Sequence, residues 1–285
     1  MRWRASRSAA SCRSASSPGR PNVPAPDIEP VNGPSKMKRL EGKKALVIGS
    51  ATGIGAAVCR LFGQEGADVA LADLGRTEPR EALVAELTGL GVDAFALECD
   101  VTDRAQVEAA VAAAVARFGA VDIVVNNAGL GANADFPDQD WEQWHRVIDI
   151  NLNGVAYGMK AALAHMLPRG KGRIINTASQ LSHKPAPGNA VYCAAKAGVV
   201  GLSVSVAQEV AARGVTINCV CPGPTDTPMW NAGDDDWNKW KLSTLPIRRI
   251  GQPEEIAWAY VYLASDEAGY MVGQSISPNG GDVMW

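Results

Sequence analysis

From Lys43 onward, short apolar runs alternate with stretches of helical period, with few residues between them. Ala45–Ile48, Asp68–Asp73, Ala94–Asp100, Val121–Val125, Gly172–Thr177 and Val215–Val220 read as strands, most of them apolar enough for burial on both faces of a sheet. Between them, Val58, Leu61 and Phe62 belong to a helix that stops at Gly66. Thr77 is positioned to cap a helix bearing Leu83, Leu87 and Leu90, and Thr102 to cap one bearing Val107, Val111, Val115 and Phe118. A long helical stretch runs from about Asp138 to Leu167, another from Asn189 to Ala212, and Pro253 opens a third that ends at Ala264. A last short strand is expected around Ser275 to Ser277. Strands alternating with helices in this way imply a parallel sheet covered on both faces. The expected fold class is α/β, a doubly wound sheet of about seven strands in one domain.

The turn after the first strand narrows the function. Gly49-x-x-x-Gly53-x-Gly55 lies between a strand and a helix, where glycines allow a tight turn and the free N–H groups of the helix start face a pyrophosphate. Asp73 ends the second strand, where a carboxylate accepts both ribose hydroxyls and repels a 2′-phosphate.

A second constellation lies in the middle of the chain. Tyr192 and Lys196 are four apart in a helical stretch, so phenol and ammonium share a face. A free phenol titrates near 10 and is a poor base at neutral pH, so an adjacent cation is the expected means of lowering it. Ser179, at the end of an apolar strand, is placed to bond the same substrate oxygen. Tyr-x-x-x-Lys is frequent by chance, and the remaining motifs decide its meaning.

Bulk properties exclude several classes. With a formal charge of −3 and both signs interspersed, the 285-residue chain has no basic footprint for nucleic acid or an anionic membrane. No apolar run in the sequence reaches the length of a membrane span. The six cysteines have no C-x-x-C pair and, with three scattered histidines, no metal-ligand spacing, so no metal is expected and the thiols read as reduced. Residues 1–36 are rich in Arg, Ser and Pro, lack an acid before Asp27, and read as a disordered extension: either a transit peptide or an over-long start preceding Met37. The expected location is the cytoplasm, or an organelle matrix if the leader is a transit peptide.

From about Leu40 to its end, the chain resembles the short-chain dehydrogenase/reductases of the single-domain type, with a Rossmann fold over 37–285. The resemblance rests on Gly49-Ser-Ala-Thr-Gly-Ile-Gly55, Asp100-Val101, Asn126-Asn-Ala-Gly129, Asn151, Ser179, Tyr192-x-x-x-Lys196 and Pro222-Gly-Pro-Thr-Asp-Thr-Pro228, all in family order. It implies NAD as cofactor, with Gly49, Gly53, Ile54 and Gly55 at the pyrophosphate and Asp73 at the adenosine ribose. Asp100 and Val101 would flank the adenine, Asn127, Ala128 and Gly129 the ribose, and Thr225 and Thr227 the carboxamide. Ser179 would polarise the substrate oxygen, Tyr192 act as general acid/base, Lys196 clamp the nicotinamide ribose, and Asn151 hold a water in a relay through Lys196. The resemblance also implies a homotetramer, or a homodimer, with the Asp138 and Tyr192 helices at an interface. Two positions depart from the family pattern: Ile48 replaces a Thr before the first glycine, and Asn279-Gly-Gly281 replaces Asp-Gly-Gly, which bears on subunit contacts.

Three functions compete on this reading. The first is NAD-dependent interconversion of a neutral secondary alcohol, cyclic or aromatic, with its ketone. The second is reduction of a 3-oxoacyl thioester, and the third non-enzymatic dinucleotide sensing. A substrate lid is expected at about 224–250, too long for a plain connection, with Trp230 and Gln180 as candidate substrate contacts. The run Asp234–Asp236 is expected to face solvent and disfavour anionic substrates. Trp141, Trp144, His145 and His165 read as packing or surface residues, and His183 as a weaker pocket candidate.

Overall fold

The computed structural model describes residues 38–284, so the expectation for residues 1–36 falls outside the described residues. Strand β1 (Lys44–Ile48) leads into α1 (Gly53–Gln64), and β2 (Asp68–Asp73) into α2 (Thr77–Gly89). Then come β3 (Ala94–Glu98), α3 (Arg104–Phe118), β4 (Ile123–Asn126), α4 (Trp141–Ile148) and α5 (Gly154–Arg169). The chain continues through β5 (Gly172–Thr177), α6 (Ala190–Val210) and β6 (Val215–Val220) to two lid helices, α7 (Pro228–Asn231) and α8 (Asp235–Thr244). Helix α9 (Pro253–Ala264) and the short β7 (Ser275–Ile276) complete the fold.

All seven strands are parallel in the order β3-β2-β1-β4-β5-β6-β7. This is the Rossmann-like α/β architecture. The strand order reverses between β1 and β4, which opens a crevice at the carboxyl ends of those strands. Two apolar clusters cover the sheet. One joins it to α1, α2 and α9 through Phe62, Leu87 and Tyr260; the other joins it to α3, α5 and α6 through Val111, Met159 and Val199.

Several local expectations need correction. Thr77 is the first residue of α2, and Arg76 precedes it in the left-handed region at φ 53°, without a side-chain cap. Leu90 lies beyond that helix and is exposed. Asp103, not Thr102, caps α3 by accepting the Ala105 N–H, while Thr102 bonds the Asp100 carboxylate. The long helical stretch starts at Trp141 and carries a π-helical turn at Asp149–Asn153 between α4 and α5. Helix α6 with its following turn is long and apolar enough to cross a membrane by length and composition, which the sequence reading missed. Here it packs along β6 as a core helix, with Val191, Val199 and Ala207 buried.

His165 is not a plain surface residue, since its Nε2 accepts the Val121 N–H at 3.1 Å. Trp141 and Trp144 pack edge-on, and Phe136 adds a third ring, although Trp141 stays exposed.

Candidate active site

The glycine turn is held by its neighbours on both sides. Gly49 N–H donates to the Ala72 carbonyl, and the Ile48 carbonyl accepts from the N–H groups of Asn127 and Ala128. Asn127 Nδ2 donates to the Gly49 carbonyl at 2.7 Å. Gly49 has φ +84°, and a Cβ there would strike the Ala128 backbone; a Cβ on Gly55 would strike the Gly49 carbonyl. The Thr52 side chain leaves the start of α1 uncapped, so the first N–H groups at Gly53, Ile54 and Gly55 face outward for an anion. Asp73 stands beside this turn, its Oδ2 accepting the Ala51 N–H at 2.8 Å.

Below the same crevice lie the residues expected to be catalytic. Ser179 follows β5, Asn151 sits on the π turn, and Tyr192 and Lys196 lie on the first turns of α6. The π turn aims the Asn151 amide inward: Nδ2 donates to the carbonyls of Leu130 and Val147, and Oδ1 accepts the Leu130 N–H. Lys196, 2% exposed, donates from Nζ to the Thr177 carbonyl at 2.7 Å. A Cβ on Gly129 would lie 2.9 Å from Asn151 Oδ1 and 3.6 Å from Lys196 Nζ, so these groups converge on one glycine.

The electrostatics differ from the simple expectation. Burial pushes the Tyr192 phenol up to about 12, and the Ser179 hydroxyl pulls it back only in part. Burial likewise pushes the Lys196 ammonium down to about 8. Desolvation therefore dominates at both groups, and the protein by itself holds the phenol protonated.

The remaining expected cofactor positions are held by local bonds. Val101 is buried, and the Asp100 carboxylate is tied to Thr102 at the end of β3. Thr225 donates to the Gly223 carbonyl at 2.8 Å, and Thr227 caps α7 by accepting the Trp230 N–H. The Thr227 methyl closes over Gly53, 3.0 Å from where a Cβ would be. Met229 reaches Gly131 and Gly129 in the same way, at 3.4 and 3.7 Å. The lid's first turn thus covers the glycine turn and the ribose-side loop.

Trp230 stacks toward Trp237 and Trp237 toward Trp240, each with centroids 6.1 Å apart, so the indoles brace the lid on itself. Gln180 is 3% exposed, and its Oε1 is buried without a partner. Asp234 caps α8 by accepting the Trp237 N–H, and Asp235 and Asp236 occupy its first turn. That acidic run is exposed as expected, and it also favours the start of α8.

Sequence reasoning missed Tyr260, whose phenol donates to Thr177 Oγ1 at 2.7 Å while Thr177 donates on to Asn127 Oδ1. This chain of bonds links α9, the residue that holds Lys196, and the glycine turn. No local signal marks Tyr260, which lies 83 residues from its partner.

Residues 49–282 match the family described as Enoyl-(Acyl carrier protein) reductase. The 3-oxoacyl-(acyl-carrier-protein) reductase FabG of Staphylococcus aureus is 40% identical over 242 residues, covering 85% of this chain and 98% of the relative. The chain is a short-chain dehydrogenase/reductase. A 2,5-dichloro-2,5-cyclohexadiene-1,4-diol dehydrogenase, LinX, of Sphingobium indicum is another relative of this dehydrogenase/reductase, 39% identical over 243 residues, 85% of this chain and 97% of that one. Among solved structures, a short-chain dehydrogenase/reductase from Serratia marcescens superposes with a TM-score of 0.81 at 36% identity, over 86% of this chain and 99% of that chain. A short chain dehydrogenase from Burkholderia cenocepacia in complex with NADP gives 0.81 at 32% identity, over the same shares of 86% and 99%.

The chain is therefore an oxidoreductase of the CH–OH/keto class using a nicotinamide dinucleotide. Its own residues fit that group. The Cβ-free floor at Gly49 and Gly55, the uncapped start of α1 and the Asp73 carboxylate form one continuous cradle.

Proposed function

We propose that this enzyme reduces the keto group of a 3-oxoacyl thioester to a secondary alcohol. The observation that carries the reading is the 40% identity to a 3-oxoacyl-(acyl-carrier-protein) reductase over 98% of that relative. The Tyr192 phenol beside Ser179 is the acid that carbonyl reduction requires. The acyl-reductase relatives support the thioester as substrate class.

When bound, the dinucleotide supplies the hydride. Ser179 and Tyr192 hold the carbonyl oxygen between two hydroxyls, and Tyr192 transfers its phenolic proton to that oxygen as the carbon is reduced. Lys196, fixed on the Thr177 carbonyl, keeps a proton-bearing amine beside the phenolate that remains. Asn151, locked by three hydrogen bonds, closes the inner end of the site and is assigned the water of the proton relay. NAD is the proposed cofactor because the Asp73 carboxylate opposes a 2′-phosphate. A homotetramer is the proposed assembly.

A second reading is oxidation of a neutral cyclic secondary alcohol or diol, favoured by Asp73 and by the similarity to a diol dehydrogenase. Initial rates with acetoacetyl-coenzyme A and reduced dinucleotide, set against cyclic alcohols and diols with oxidised dinucleotide, separate the two. Turnover of the alcohols alone would overturn the thioester reading.

A further inference from the structure

The proposed mechanism leaves a buried charged cluster near the end of the described residues unused. Asp282, close to the chain end, has a fully buried carboxylate. Lys241 of α8, itself 2% exposed, donates to Asp282 Oδ2 at 2.6 Å. Lys184, from the loop between Ser179 and Tyr192, donates to Asp282 Oδ1 and to its main-chain carbonyl, both at 3.0 Å. Segments 41 and 98 residues distant in sequence thus meet on one carboxylate.

The tail that carries Asp282 is itself tied down. Asn279 donates from Nδ2 to Ser277 Oγ and to the Val283 carbonyl, and accepts the Gly281 N–H on Oδ1. An Asp at this position has no N–H to give the Val283 carbonyl, so Asn279 serves the tail's own knot. The Gly280 carbonyl accepts the Ile247 N–H at the far end of the lid, and Gly223 leaves room for the Asn279 backbone.

Charge decides what this cluster does. Moving α8 away from the tail would strip the fully buried Asp282 carboxylate of one of its two counter-charges, which is strongly unfavourable. The lid is therefore divided. Its first turn, with Met229 over Gly129 and Gly131, rests on van der Waals contacts, while α8 is held by an ion pair. Lys184 extends that hold to the loop carrying Ser179.

We infer that Asp282 is a positioning residue that sets the spacing between α8 and the Ser179–Tyr192 loop, and that these two segments wall the substrate entrance. It touches neither substrate nor dinucleotide, and the inference applies to either substrate reading.

The test uses the full chain with Asp282→Asn and Lys184→Met. For Asp282→Asn, KM for the substrate that turns over should rise about tenfold, with the Kd for dinucleotide changed less than twofold. Tryptic cleavage after Lys241 should quicken about tenfold relative to cleavage after Arg213, a readout that needs no turnover and so stands apart from the substrate assignment. Lys184→Met removes only the exposed arm of the cluster, and should raise KM about threefold with melting temperature unchanged; it decides the matter if Asp282→Asn does not fold. Unchanged KM and unchanged cleavage ratio in the folded variants would overturn the inference. So would a uniform rise in cleavage at both sites together with weaker dinucleotide binding, which marks general loosening.

Discussion

The Lys196 ammonium donates to the Thr177 carbonyl at 2.7 Å and lies 5.8 Å from the centre of the Tyr192 ring. The cation is anchored on the main chain at the end of β5, and the phenol lies beside it rather than on it. Burial pushes the two groups in opposite directions, Lys196 down to about 8 and Tyr192 up to about 12.

Stability should record the lysine shift. Between pH 8 and about 10.4, the unfolded chain keeps the Lys196 proton while the folded chain has lost it. The unfolded state then binds more protons, so stability rises with pH through this window, by up to about 1.4 kcal/mol per pH unit. The buried cysteines, with raised pKa values, act in the opposite sense above their unfolded values. Urea midpoints of wild type and Lys196→Met, both free of dinucleotide, isolate the lysine contribution. Their difference should shift in favour of wild type from pH 8 to 9.5, and a constant difference would contradict the assignment.

Tyr192→Phe should lower kcat by about 10²–10⁴-fold, the usual contribution of a general acid. Dinucleotide affinity and melting temperature should stay close to wild type, because the ring and its packing remain. Ser179→Ala should also slow the chemical step, with less effect on dinucleotide affinity than Lys196→Ala. A Phe variant that keeps a tenth of wild-type turnover would remove Tyr192 from the acid role.

The cofactor edge carries opposed charges. Asp73 is partly buried and held by two N–H donors, whereas Arg76 is exposed and donates to Thr52 Oγ1 at 3.3 Å. The exposed guanidinium is screened by solvent and salt more than the carboxylate. NAD should therefore be preferred over NADP by at least about tenfold in kcat/KM, equivalent to about 1.4 kcal/mol. Asp73→Ser should narrow that ratio, with Arg76 then free to favour the phosphate. Equal use of both cofactors by wild type would refute the preference.

Lid contacts separate two neighbouring residues. Met229 faces Gly129 and Gly131, while Trp230 stacks within the lid on Trp237. Met229→Ala should raise KM for a bulky substrate more than for a short one, leaving melting temperature unchanged. Trp230→Ala should raise KM for both alike, since it loosens the lid as a unit. The opposite pattern would return Trp230 to the substrate wall, where the sequence reading put it.

The sequence by itself determined what depends on local pattern. Apolar runs marked β2 and β6 to the residue, Pro253 marked the start of α9, and the glycine spacing marked the turn after β1. The resemblance then assigned roles to Ser179, Tyr192, Lys196 and Asn151, and the fold brings the elements that carry them to one end of the sheet. Caps were less legible. Whether Thr102 or Asp103 holds the start of α3 depends on the direction in which the backbone enters the helix, and either residue type serves. Tertiary structure alone decided the ionisation of the central pair, because desolvation depends on everything packed around Tyr192 and Lys196 rather than on their spacing of four. It alone brought Tyr260 to Thr177, and Lys184 and Lys241 to Asp282. Such pairs carry no periodicity, and a buried charge finds its partner only after the chain has closed around it.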